Sequence, residues 1–126
     1  MKLDYISNTN EYGDNIVRLY DFDSIQASEF RESINKIIIK KKQSFSLDTA
    51  DYIEERNCNL ILRIAEEDIG ITTYDNKNFF CDLTLEGYKK MVALLEPFCN
   101  KETKGYQWLY DIDSDIDFLF SPAGTW

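Results

Sequence analysis

The chain has 126 residues, 44% of them hydrophobic, which suits one domain spanning 1–126 with a self-sufficient core and leaves no room for two comfortable ones. Lys and Arg total 14 against 23 Asp and Glu, a formal charge of -9; that field disfavours nonspecific nucleic-acid binding and attracts a basic protein. With no histidine in the chain, Ser-His-Asp and Cys-His machinery, histidine metal ligands and the usual neutral-pH general base are all excluded.

The opening MKLDYISNTNEYGD has no apolar h-region and reads as a short polar lead-in. NIVRLYDFD follows as a strand of β-branched and aromatic residues. From Asp23 the period changes. Ala27, Phe30, Ile34, Ile37 and Ile38 recur at helical spacing, with Asp23 and Gln26 placed as N-cap and reciprocal partner. Lys36, Lys40, Lys41 and Lys42 gather towards the far end, where cations oppose the helix dipole.

QSFSLDTADYIEERN is polar and irregular, with room for a short strand at Phe45 to Leu47. The segment CNLILRIAEEDIGITTYDNKNFFCDLT then holds three strand-like runs separated by the turn signals EEDIG and DNKN. Such short connections predict an antiparallel meander. Cys58 and Cys81 fall on the apolar faces of their runs and read as core residues, and the three scattered cysteines suggest neither a disulfide framework nor a zinc site.

Thr84 caps a second helix, in which Leu85, Tyr88, Met91, Val92, Leu95 and Phe98 form the stripe; Gly87 costs helix propensity and Pro97 limits the length. The remaining YQWLYDIDSDIDFLFS reads as a hairpin, with YQWLY going in, a turn around Ser114 and IDFLFS coming out. Strict alternation places Tyr106, Trp108 and Tyr110 on one strand face. It likewise buries Ile112, Ile116, Phe118 and Phe120 opposite Asp111, Asp113, Asp115 and Asp117. The aspartates match the start of a calcium loop, but Ile116 stands where that loop needs Gly and Pro122 where it needs Glu.

FFCDLT, the helix ending LLEPFC, GYQWLYD and FLFSPAGTW together resemble small single-domain bacterial proteins that carry no assigned activity, a resemblance that implies no catalytic residue. In size, acidity and lack of catalytic groups the chain is also similar to immunity proteins of bacterial toxin systems.

The expected fold is α+β, a mostly antiparallel sheet of about six strands with both amphipathic helices on one face, in the order β-α-β-β-β-α-β-β. The expected function is that of a noncatalytic acidic binding protein, immunity- or inhibitor-like, with a basic protein partner and no cofactor, metal, nucleic acid or membrane. No apolar run approaches the roughly 18 residues of a membrane span, and a reducing cytoplasm suits the cysteine usage. Tyr106, Trp108, Tyr110, Asp111, Asp113, Asp115 and Asp117 are the candidate contact residues, with packing under a helix as the plainer alternative for the rings of Tyr106, Trp108 and Tyr110. A small-molecule or divalent-ion binding domain is the alternative.

Overall fold

A computed structural model of the chain describes residues 1–7, 15–101, 104–112 and 115–122. The class is α+β, as expected, but the strands form two mixed sheets rather than one antiparallel sheet of six. The elements are β1 (Lys2–Ile6), β2 (Asn15–Tyr20), α1 (Ser24–Ser33), β3 (Phe45–Ser46), β4 (Glu54–Glu55), β5 (Asn59–Ile64), β6 (Gly70–Thr73), β7 (Asn78–Leu83), α2 (Leu85–Leu95), β8 (Gln107–Tyr110) and β9 (Ile116–Ser121). A π-helical stretch, Ile34–Lys40, prolongs α1.

The five-stranded sheet has the order β4-β1-β2-β9-β8 and the four-stranded sheet the order β3-β5-β7-β6. What reads as a polar lead-in is therefore a strand. Its Leu3 is fully buried and its Tyr5 ring lies 4.6 Å from that of Phe79, so an alternating face is present although Lys2 and Asp4 dilute it. β4 pairs with β1 through its backbone. The Glu54 and Arg56 N–H groups donate to Met1 and Leu3 carbonyls at 2.8 and 2.9 Å, while both Glu side chains of β4 point to solvent.

The expected meander is replaced by a skipped position. β5 and β7 are parallel neighbours, and β6 pairs antiparallel with the far side of β7. Residues 65–69 join β5 to β6. Five extended residues reach roughly 17 Å and two strand spacings need only about 9.5 Å, so a short loop leaves a gap that the next strand fills. The β6–β7 hairpin itself forms as its sequence predicts. Asn76 takes a left-handed φ of 58° there, and the Asp75 carboxylate accepts the N–H groups of Lys77 and Asn78 at 2.9 and 2.8 Å.

Both helices start as their sequences dictate. The Gln26 N–H donates to Asp23 Oδ1 at 2.8 Å and the Asp23 N–H to Gln26 Oε1 at 3.4 Å, a reciprocal cap. Thr84 Oγ1 accepts the Gly87 N–H at 3.0 Å. At the far end of the π-helical stretch Lys42 turns back, its Nζ donating to the Ile39 carbonyl at 2.7 Å.

The helices do not simply cover one face of one sheet. α2 touches β7 of one sheet and β8 of the other, and the π-helical stretch reaches β3 and β5. One core results, shared by Phe30, Ile34 and Ile38 of the first helix, Tyr88, Met91 and Leu95 of the second, and the inward residues of both sheets. Phe120 lies at its centre. The ring stacks on Phe22 at 4.1 Å and meets Phe98 edge-on at 5.2 Å, geometries worth about 1 kcal/mol each beyond area burial. Cys58 and Cys81 are buried in this core, as their positions predict, and burial pushes both thiols up to about 12.

Away from the core, each sheet carries a bidentate pair. Arg18 Nε and Nη2 donate to the two Asp4 oxygens at 2.7 and 3.0 Å, with the guanidinium 3.8 Å from the centre of the Tyr20 ring. Arg63 Nε and Nη2 donate to the two Asp82 oxygens, both at 2.7 Å, with the guanidinium 4.2 Å from the Phe80 ring. The chain thus twice builds the same cradle for a guanidinium, a carboxylate on its edge and an aromatic ring on its face.

Candidate functional site: a cleft between the second helix and the acidic hairpin

The C-terminal hairpin forms as predicted, β8 pairing antiparallel with β9, and β9 in turn pairs in parallel with β2. Asp113 and the turn position Ser114 lie outside the described residues. Strict alternation is broken. Trp108 stands opposite Leu119 and Tyr110 opposite Phe118, so a bulge takes up the extra residue between them and the two rings do not share a face.

The consequence separates the predicted aromatic trio. Tyr110 packs against the core and its hydroxyl donates to the Asp68 carbonyl at 3.2 Å, whereas half-buried Trp108 meets the Tyr106 ring edge-on at 5.9 Å. Tyr106 itself is half exposed. Leu109, drawn inward by the bulge, is buried. Of the residues expected on the buried face, Ile116, Phe118 and Phe120 are buried as predicted, but Ile112 is 65% exposed. Asp111 and Asp115 face solvent and Asp117 is partly covered beside Ile16 of β2.

Between β8 and α2 lies a cleft of about 160 Å³. Leu94, Trp108, Leu109, Tyr110 and Ile112 supply its apolar walls, and Asp68, Asp111 and Lys90 its charges. The Asp68 carboxylate is fixed there by α2: its Oδ1 accepts both the backbone N–H and the hydroxyl of Thr84 at 2.8 Å. Those bonds, the backbone one foremost, hold its carboxyl below the ordinary range, so it is an anion at neutral pH.

Asp68, Lys90 and Leu94 are absent from the residues the sequence singles out. The one signal for them is Gly87, an unfavourable residue in the first turn of a helix. A β-carbon there would sit 2.8 Å from Asp68 Oδ1 and 3.1 Å from the Leu83 β-carbon, so the glycine marks where a carboxylate from another loop approaches the helix.

Two wider hollows open broadly to solvent: one, lined by Glu55 to Asn59 with Lys77 and Asn78, has no ring in its lining, and one along the first helix sets Tyr52 beside Glu29 and Glu32 but matches those two carboxylates with two cations, Lys36 and Lys41. Among the described residues no group of three or more Cys, Asp or Glu converges to hold a metal ion, and no helix is long and apolar enough to cross a membrane. The chain matches no family model, and searches of curated proteins and of solved structures yield no match.

Proposed function

We propose that the protein is a noncatalytic binding module that occupies a basic protein partner, with the acidic hairpin and the adjoining α2–β8 cleft as its contact surface. The observation that carries this reading is the cleft itself, where rings of β8 stand beside the carboxylates of Asp68 and Asp111 on a chain of net charge -9. Long-range attraction steers a cationic surface towards the molecule, and desolvated rings supply the short-range contact. Exposed Asp111 and Asp115 form the charged rim.

The test is retention of a basic protein on the immobilised chain at low and at high salt, followed by its affinity for the chain carrying Asp111→Asn, Asp115→Asn and Asp117→Asn. The two rim charges and the partly covered Asp117, at roughly 0.5 kcal/mol each, predict about tenfold weaker binding and a shallower salt dependence. A retained partner whose affinity and salt dependence ignore these substitutions rules out the hairpin as the contact surface.

A further inference from the structure

We infer that the α2–β8 cleft receives a single arginine side chain of the partner. The inference rests on the binding reading above and adds to it the chemical class of the group that enters. At about 160 Å³ the cleft is well below the 300 to 1,000 Å³ of pockets that enclose cofactors or drug-sized ligands, so it has room for a side chain and not for a metabolite of that size.

The lining selects which side chain. Leu94, Leu109 and Ile112 offer an apolar channel suited to a methylene stem, Trp108 and Tyr110 make part of the wall aromatic, and among the described lining residues the carboxylates Asp68 and Asp111 stand against the cation Lys90. A long apolar stem ending in a planar cation fits that sequence of surfaces. A lysine satisfies the charge but presents a compact, strongly hydrated head that neither stacks nor bonds in a bidentate fork. The molecule already shows its own solution for guanidinium groups: Arg18 lies on Tyr20 and pairs with Asp4, and Arg63 lies on Phe80 and pairs with Asp82. The cleft brings together the same two components, ring and carboxylate.

The test uses the isotope-labelled full chain and three probes: N-acetyl-arginine methylamide, its lysine counterpart and its glutamate counterpart, titrated while amide and indole NMR shifts are followed. The arginine probe is expected to give saturable shifts confined to Trp108, Leu109, Ile112, Gly87 and their neighbours, with affinity at least fivefold above the lysine probe. Asp111→Asn should weaken it at least threefold, and Leu94→Trp, which fills the cleft without altering charge, should abolish the shifts. Because Leu94→Trp could disturb packing, the exposed Asp111→Asn is the variant that decides if the former loses its native spectrum. Equal lysine and arginine affinities, a preference for glutamate through Lys90, or shifts spread over the surface would each overturn the inference. A basic partner bound equally by the wild type and a folded Leu94→Trp chain would remove the cleft and leave the wider binding reading standing; arginine shifts without any basic partner would do the reverse.

Discussion

Asp68 and Gly87 are a matched pair: the carboxylate that holds Thr84, the N-cap of α2, from another loop occupies the space where any larger residue at position 87 would place its β-carbon, 2.8 Å from Oδ1. Alanine normally gains about 1 kcal/mol over glycine within a helix. Here that gain is set against the loss of two hydrogen bonds to Thr84, each worth about 1 kcal/mol or more when an ionised acceptor is involved. Gly87→Ala should therefore lower stability by about 1 kcal/mol in urea denaturation. In an Asp68→Ala background the same change should be neutral or stabilising, and equal effects in the two backgrounds would show that the pair is not coupled.

Acid sensitivity follows from the Asp75 turn. Two backbone N–H groups and the Asn78 amide hold its carboxyl at about 2 in the folded chain, below the ordinary value near 4. A folded pKa below the unfolded one stabilises above the unfolded value, and the contribution is lost as pH falls from about 5 towards 2. Asp75→Asn keeps an acceptor oxygen but cannot titrate. The stability difference between wild type and variant should shrink across that window, and a difference constant from pH 6 to 2 would refute the assignment.

Thiol labelling separates the cysteines. Burial pushes Cys58 and Cys81 to about 12, so near pH 8 each is almost wholly protonated as well as shielded. Cys99, only partly buried, should take iodoacetamide first in the native chain, with the other two labelled only when urea unfolds it. Mass spectrometry of native, partially labelled protein reads this directly, and modification of Cys81 as fast as Cys99 would contradict the buried placement.

The Asp4–Arg18 pair predicts an asymmetry. Both side chains are about 15% exposed, and the pair bridges β1 and β2 where Asp4 stands opposite Arg18. Asp4→Ala leaves a guanidinium without its carboxylate and should cost about 2 kcal/mol or more, whereas Asp4→Ala with Arg18→Met, which removes both charges and keeps the stem over Tyr20, should recover most of that loss. Thermal melts of the three chains decide it; a double variant no better than the single one would mean the pair itself stabilises the sheet.

The local features were legible in the chain because they depend on neighbours in sequence. Asp23 with Gln26, the stripe through Phe30 and Ile34, the DNKN turn and the buried positions of Cys58 and Cys81 all appear where residue type and period place them. What escaped is non-local or backbone-borne. β4 pairs through main-chain groups that glutamate side chains do not announce, β7 enters between β5 and β6 after both exist in sequence, and one bulged residue parts Trp108 from Tyr110. At the candidate site the same holds: Asp111 and the rings are visible as a cluster, while the partner wall from α2 and Asp68 comes from residues up to 42 positions away, as in the Tyr110 to Asp68 bond.

β9, the last strand among the described residues, is an inner strand of its sheet, between β2 and β8. Ile16 to Tyr20 therefore wait for residues 116–121 before their ladder is complete, a separation of about a hundred positions along the chain. Closing so long a loop before its contacts form slows folding and raises contact order. On the ribosome, the side of β2 away from β1 remains an open edge until residues 116–121 have been synthesised, which makes it a surface in need of protection in the nascent chain.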